Sequence, residues 1–280
     1  MAWSAVLSGE LMYADVSVII PCYRCSATIG RALESVLRQT LLPSEIFLVD
    51  DHSNDAQETL LTLFRLRDTY PFANIKVIAL NKNVGPGGAR NAAWQQANKT
   101  YVAFLDADDT WHPAKLAVQL GWMQAHPEVA LTAARTEHLL IAEPLKFIRL
   151  PLSAQLVSPF KLLLKNNLPT RTVILRREIN FRFDPNKRYA EDYWLWLSIV
   201  LSGLGAYVLD VSLGFTHKSE FGSRGLSADL WKMWLGEVDT YQRARRAGFI
   251  SFTISYIYIF FSLLKFIVRL LKRLVRLKSN

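Results

Sequence analysis

Tyr101-Val102-Ala103-Phe104-Leu105-Asp106-Ala107-Asp108-Asp109 runs five apolar residues directly into three acids within four positions. The apolar part has the length and composition of a short strand buried in a parallel sheet. Carboxylates so close repel one another. A hard divalent cation, Mn2+ or Mg2+, relieves the repulsion by binding one or two of them together with substrate phosphates. The same acids also suit a solvated turn before a helix, whose N-terminal dipole favours negative charge. Position in the fold has to decide between the two.

Outward from this stretch, Val16–Ile20, Ile46–Val49 and Lys76–Ala79 are three further strand-like runs, with Tyr101–Leu105 the fourth. Between them, Thr28–Gln39 places Ile29, Ala32, Leu33, Val36 and Leu37 on one helical face. Gln57–Tyr70 repeats the pattern with Leu60, Leu61, Phe64 and Leu66. Strands alternating with helices indicate an α/β fold with a mostly parallel sheet flanked by helices. Ligands of such sheets bind beyond the carboxyl ends of the strands. Each strand here is followed by a polar cluster: Pro21-Cys22-Tyr23, Asp50-Asp51-His52-Ser53, Asn81 to Asn91, and Asp106-Ala107-Asp108-Asp109. The four clusters are expected on one edge.

The third cluster contains Gly85, Gly87 and Gly88, which let backbone N–H groups approach phosphate oxygens at a helix start, and Arg90, a cation suited to a diphosphate. A flexible glycine-rich turn is the alternative. The spacing matches neither a Gly-x-Gly-x-x-Gly after the first strand nor a Gly-x-x-x-x-Gly-Lys-Ser/Thr loop, so dinucleotide binding and P-loop NTPase activity lack support. Tyr23 offers a ring to a nucleobase, and Asp51 offers acceptors to a base N–H or a ribose hydroxyl. Either also suits ordinary strand-end punctuation.

The second half is less regular. Glu143–Val157 reads as a loop because Pro144 and Pro151 interrupt it. Thr172–Leu175 and Ala206–Leu209 are expected strands, and Glu191–Leu201 a helix. The expected division is a leader over 1–14, a first half over 15–134, a second half of the same domain over 135–240, and a helical tail over 241–280. The leader lacks the basic flank of a signal peptide, and Met12 is an alternative start.

The 280 residues are 51% hydrophobic, ample for a core. Cys22 and Cys25 form a Cys-x-x-Cys without thioredoxin-like context or a second metal-binding pair. The formal charge of +9 is local: the nine cations between Thr240 and Asn280 have no acid among them, and the other 24 basic residues match 24 acids. Such a tail suits an anionic membrane surface rather than nucleic acid. Phe249–Leu264 is an uncharged run of 16 residues, short of the ~20 that span a bilayer. Beyond it Lys265, Arg269, Lys272 and Arg276 fall within about 60° on a helical wheel, the pattern of a basic amphipathic interfacial helix. A helix packed on the domain is the alternative.

Val18-Ile19-Ile20-Pro21-Cys22-Tyr23, Ser35-Val36-Leu37-Arg38-Gln39-Thr40, Val49-Asp50-Asp51-His52-Ser53, Asn83-x-Gly85 through Ala89-Arg90-Asn91, and Asp106-Ala107-Asp108-Asp109 together resemble the family 2 glycosyltransferases of the GT-A fold. The ordered likeness covers Asp15–Ala134 and resumes at Ala190-Glu191-Asp192-Tyr193-Trp194-Leu195-Trp196. The resemblance implies an inverting transferase that takes one sugar from a nucleotide-diphosphate sugar, a UDP-sugar foremost, with Mn2+ or Mg2+. It implies that Pro21, Tyr23 and Asp51 hold base and ribose, Arg90 meets the nucleotide or its phosphates, Asp106 lies at the ribose and Asp108 at the metal. Asp192 becomes the general base, since an acceptor hydroxyl must lose its proton as it attacks. His217 becomes a third metal ligand or phosphate contact. A helix-capping acidic pair and a lone structural histidine are the corresponding alternatives.

The Gln-x-x-Arg-Trp that processive synthases of the family carry after the base does not occur in this sequence, which favours single-sugar addition. With a cytosolic donor pool and a basic tail, the expected location is the cytoplasmic side of the cell membrane, and the expected acceptor a lipid-linked saccharide or surface glycan. Two rivals remain. A sugar nucleotidylyltransferase would show a glycine-rich basic loop where Pro21-Cys22-Tyr23-Arg24 stands. A catalytically silent, membrane-tethered nucleotide-sugar-binding protein is at odds with the intact set Asp106, Asp108, Asp109 and Asp192.

Overall fold

The computed structural model describes residues 12–138, 148, 152–217 and 229–278. In chain order it forms β1 (Tyr13–Cys22), α1 (Ser26–Leu37), β2 (Leu42–Asp50), α2 (Glu58–Thr69), β3 (Ile75–Ala79), α3 (Gly85–Gln96), β4 (Tyr101–Phe104), β5 (Asp109–Trp111), α4 (Lys115–Ala125), β6 (Val129–His138), β7 (Ala154–Leu156), α5 (Pro159–Leu164), β8 (Ile174–Arg176), α6 (Glu191–Leu201), β9 (Gly205–Thr216), α7 (Leu230–Arg246) and α8 (Phe252–Lys278). Two compact units result. The first comprises Met1–Leu156, Leu168–Asn180 and Gly205–His217, the second Val157–Asn167, Phe181–Leu204 and Lys218–Asn280. The stretch 135–240 thus lends three segments, 135–156, 168–180 and 205–217, to the sheet unit. Of the leader, residues 1–11 lie outside the described residues, as do Pro144 and Pro151.

The first unit is a mixed α/β fold around one sheet of order β3-β2-β1-β4-β8-β6-β9-β5, with β7 on β9. β1, β2, β3 and β4 are parallel, and β8 joins β4 antiparallel. Both faces of β1 and β2 are covered, which is why Val16, Val18, Ile19, Ile20, Ile46, Phe47, Leu48 and Val49 form near-continuous apolar runs. On one face α1 buries Ile29, Ala32, Leu33 and Val36, as its periodicity predicts. On the other, Trp94 of α3 lies 5.5 Å from Phe104.

Two expectations are corrected. α2 buries Thr59 and Leu63 and leaves Leu61 exposed, because the Thr59 hydroxyl donates to Asp55 (2.6 Å) and accepts the Cys25 N–H (3.0 Å), turning that face inward. Within the supposed loop 143–157, Ala154–Leu156 is a strand paired antiparallel to Val208 and its neighbours, too short to leave a periodic signal. The two cysteines are free and buried, and burial pushes the Cys22 thiol up, away from the reactive thiolate form.

The second unit is helical. Trp196 of α6 packs edge-on against Phe183, and the Tyr193 hydroxyl donates within the unit to the Leu162 and Leu163 carbonyls (2.8 and 2.9 Å). Buried Lys187 donates to the Gly236 carbonyl and to Asp239 (both 2.7 Å), and Arg243 bridges Asp239 and Asp184. Gly236 is required there, since a Cβ would sit 2.7 Å from the Tyr189 carbonyl oxygen.

One buried carboxylate ties the parallel sheet together. Glu45 accepts from Ser17 Oγ of β1 (2.7 Å), from the Asn98 N–H after α3 (2.9 Å) and from Lys76 Nζ of β3 (2.9 Å). Burial works to raise its pKa, but the Asn98 amide, Ser17 and Lys76 outweigh it and hold the carboxyl below its ordinary value. Glu45→Gln is therefore expected to lower stability by about 1–3 kcal/mol at neutral pH, read by urea unfolding. Because the folded pKa is depressed, the gap to wild type is present above the unfolded glutamate value of about 4.3 and closes as pH falls through the folded one. A gap that persists in acid would contradict the assignment.

Candidate functional site

The sheet grows from β1 through β2 to β3 on one side and to β4 on the other. The carboxyl ends of β1 and β4 therefore flank a topological switch point, where open α/β sheets bind ligands. Ile19 pairs with Phe104, and the Leu105 N–H donates to the Ile19 carbonyl (3.1 Å), so the register sets Asp106 level with Pro21. Tyr23 follows, 44% exposed, its hydroxyl donating to Asn54 (2.9 Å). Arg24 and His52, at the adjoining ends of β1 and β2, both hold positive φ (49° and 54°). Left-handed non-glycine residues cost about 1–3 kcal/mol each and concentrate at functional loops.

Asp51 is buried, and its carboxylate accepts the Val84 and Gly85 N–H groups (2.7 and 2.9 Å) while its carbonyl accepts from Asn83 (2.8 Å). The start of α3, expected to cradle phosphate, is thus closed by a protein carboxylate, which fills the anion position of that helix end. Gly88 permits the tight entry, since a Cβ would lie 2.6 Å from Val84 Cγ2. Asp51 keeps lone pairs for a ligand only beyond these two bonds.

Arg90, on the buried face of α3, reaches Asp106 (2.6 Å). The two expected donor residues are therefore joined to each other. Asp109 is buried and pairs with Arg171 (2.5 Å). Burial first, and the Asp106 carboxylate after it, push the Asp109 carboxyl up to about 6 against the pull of the Arg171 guanidinium. Repulsion among the three acids is thus relieved from within the protein at Asp106 and Asp109. Asp108 is half-buried, its backbone carbonyl held by Arg31 (3.1 Å). His217 comes to the same loop through the β5–β9 pairing of Asp109 with Thr216, and its Nε2 lies 2.9 Å from Thr110 Oγ1.

Arg171 was not foreseen. It precedes β8 in a 3-10 turn, Thr170–Thr172, where its carbonyl accepts the Trp111 indole N–H (2.6 Å). Its stem packs beside Gly214, whose added Cβ would stand 2.6 Å from Thr172 and 3.4 Å from Arg171. An arginine set among threonines at a strand entrance was the only signal. Arg31 and Thr110 were likewise unmarked.

In the second unit, Ala190 holds φ 54° immediately before α6, which sets the first helical turn on Glu191 and Asp192. Asp192 Oδ2 accepts from Asn166 Nδ2 (3.3 Å), and Oδ1 from the Tyr193 N–H (2.7 Å). Asn166, another residue without a sequence signal, is a positioning residue for this carboxylate.

Arg171→Met is expected to cost about 3–5 kcal/mol by leaving the Asp109 charge buried without its cation, and Arg171→Met with Asp109→Asn to recover most of it. Additive losses in a double-mutant cycle would mean that the pair is not coupled.

A family model described as Glycosyl transferase family 2 matches residues 17–176, which include Pro21, Tyr23, Asp51, Arg90, Asp106, Asp108 and Arg171. The putative teichuronic acid biosynthesis glycosyltransferase TuaG of Bacillus subtilis (strain 168) is 32% identical over 244 residues, 85% of this chain and 91% of its own. WfgD of Escherichia coli, a UDP-Glc:alpha-D-GlcNAc-diphosphoundecaprenol beta-1,3-glucosyltransferase, is 31% identical over 185 residues, 66% of this chain and 69% of its own. Among solved structures, the mannosyltransferase PcManGT from Pyrobaculum calidifontis, in complex with GDP-Man and Mn2+, is similar with TM-score 0.63 and 20% identity over 84% of this chain and 65% of that one. The last likeness is one of fold. With the acids, the two arginines that hold them and the switch-point sheet inside the matched region, the chain belongs to glycosyl transferase family 2, a transferase with the GT-A fold.

Proposed function

We propose that this transferase moves one sugar, with inversion, from a UDP-sugar to a hydroxyl of a lipid-linked saccharide or surface-glycan acceptor, with a divalent metal, at the cytoplasmic side of a membrane. The observation that carries this is the strand-end arrangement in the first unit: Tyr23, Asp51, Arg90-held Asp106, and Asp108 converge on the β1/β4 switch point. The first unit is assigned the donor. The second is assigned the acceptor, the base Asp192 and the membrane-associating tail from residue 241. WfgD, by its name, uses UDP-Glc and a diphosphoundecaprenol acceptor, which supports both substrate classes here.

The residues fit a metal that substrate oxygens complete rather than a ready-made cage. Among the described residues no three His, Cys, Asp or Glu side chains form a metal cluster, whereas Mg2+ and Mn2+ suit one or two protein ligands plus phosphates. Asp108 and His217, which reaches the same loop at Thr110, would hold the ion. Bound there, it would neutralise charge developing on the departing diphosphate. The complex of PcManGT with Mn2+ supports this choice. Asp106, aimed by Arg90, would accept from the ribose, and Tyr23 would stack on the base. Asp192 would take the acceptor proton as the new glycosidic bond forms.

The direct test is nucleotide release by the purified full chain from a panel of nucleotide sugars, with Mn2+, Mg2+ or EDTA. Release from a UDP-sugar that stops with EDTA is expected, and metal-independent turnover would sink the Asp108 assignment. Mn2+ binding in the presence of UDP, followed by electron paramagnetic resonance, should be lost in Asp108→Ala. Asp192→Asn should slow turnover about 10²–10⁴-fold with the donor KM little changed. Unchanged turnover would remove Asp192 from the mechanism.

A further inference from the structure

By length and hydropathy α8 passes for a membrane span: Phe252–Arg273 is 22 residues with mean hydropathy 1.8. Its packing points elsewhere. Ser255, Ser262 and Phe266 are buried within the second unit and form one seam along the helix. Tyr258 donates to the Phe160 carbonyl of α5 (3.5 Å), and Phe266 stacks on Trp234 of α7 (5.2 Å). Lys265 donates to the Leu164 carbonyl (2.7 Å) and pairs with Glu237 of α7. From Ser255 to Phe266 the helix is therefore held for about 17 Å against its own unit. Crossing a bilayer over that length would drag Glu237, Asp239 and Arg243 of α7 into hydrocarbon, where charged side chains are costly and open loops are excluded.

The opposite side of α8 is bare. Ile257, Phe260, Leu264, Ile267, Val268 and Leu271 are each 43–58% exposed and lie within about 100° of the helix circumference. Lys265, expected among the surface cations, is spent on the seam. Arg269, Lys272 and Arg273 follow it with no acid anywhere on the helix, and Lys272 and Arg273 are exposed. Next to the seam, Trp231 of α7 lies 5.7 Å from Phe266 and is 55% exposed, an amphipathic ring of the kind enriched at lipid headgroups.

We propose that α8 lies in the plane of an anionic lipid leaflet, its Ile257–Leu271 face sunk to the acyl-chain boundary and Lys272 among the headgroups. This rests on the proposed membrane attachment of the tail and decides how the tail attaches: the second unit is a monotopic module, not the base of a transmembrane anchor. The occupant is lipid rather than protein because exposed Lys272 stands beside the apolar face and no acid stands anywhere on the helix, which complements an anionic leaflet. The seam also connects the docked helix to the site. Lys265 holds the last carbonyl of α5, and two residues on, Asn166 holds Asp192. The height of α8 in the leaflet thereby sets the height of the proposed base.

The test uses the full chain on vesicles of phosphatidylcholine with or without phosphatidylglycerol. Single variants Ile257→Cys, Phe260→Cys, Leu264→Cys, Ile267→Cys and Leu271→Cys carry an environment-sensitive fluorophore, quenched by lipids brominated at different depths. The same shallow depth at all five positions is expected. A depth that grows along the helix would mean a span, and no quenching at any position would mean no insertion; either overturns the proposal. A dimer in solution that shields these positions without vesicle binding also overturns it. Lys272→Glu should weaken binding to the anionic vesicles at least about fivefold, the worth of one cation at the surface, and undiminished binding contradicts the headgroup role. Nucleotide release with a water-soluble acceptor should be unchanged in all these variants. Its loss in the wild type would instead count against the transferase substrates proposed above, leaving the depth result intact.

Discussion

Three carboxylates within four residues persist at the end of β4 because two arginines from distant parts of the chain answer them. Arg90 comes from α3 and Arg171 from the turn before β8, and each is more than 15 residues from its partner. The rest of the first unit serves to deliver these two guanidinium groups. Asp51 anchors the start of α3 by taking two of its amide hydrogens, and that fixes where Arg90 stands one turn further on. Trp94 of the same helix packs on Phe104, one strand residue from the acids. On the other side, Gly214 leaves room for Thr172 and the Arg171 stem, while the Trp111 indole holds the Arg171 backbone.

This arrangement divides labour among acids that look equivalent in sequence. Asp109 is buried, and its partner is protein, so it is structural. Asp106 is aimed by a buried arginine yet remains partly accessible, with 29% of its side chain exposed, which suits the ribose contact proposed for it. Asp108 is half-buried on the same loop, and the proposed metal depends on it. Internal neutralisation explains how the loop folds before any cation arrives: burying like charges without partners would cost several kcal/mol, and a site that needed the metal to fold would bind it as a structural ion.

Most of the sheet was legible because parallel strands covered on both faces leave continuous β-branched runs, and their helices leave a period of 3.6. Val16–Ile20 and Ile29 to Val36 are of this kind. α2 was misread in register because Thr59 and Asp55, not apolar residues, decide which way it faces. β7 and the length of β9 were missed for a different reason: they are antiparallel or late additions whose pairing is set by tertiary contacts. The candidate residues after each strand could be grouped since topology sends those strand ends to one edge. Their partners could not. Arg171, Asn166 and Thr110 carry no local pattern, and only the folded chain shows that they touch Asp109, Asp192 and His217.

Nucleotide sugars are aqueous and lipid-linked acceptors are not, and the two units differ accordingly. The donor residues are referenced to a rigid sheet through buried ion pairs and backbone caps. Asp192 is referenced to helices instead. Ala190, in a left-handed conformation, sets the first turn of α6, Asn166 holds one carboxylate oxygen, and the segment carrying Asn166 continues from α5, which Lys265 and Tyr258 fasten to α8. On the in-plane placement of α8, the base keeps a fixed height above the leaflet, so an acceptor hydroxyl presented at that height meets it without a search in depth. Effective concentration then rises through restriction to a plane rather than through tighter contacts, which is how a modest acceptor site could serve the proposed lipid-linked substrate.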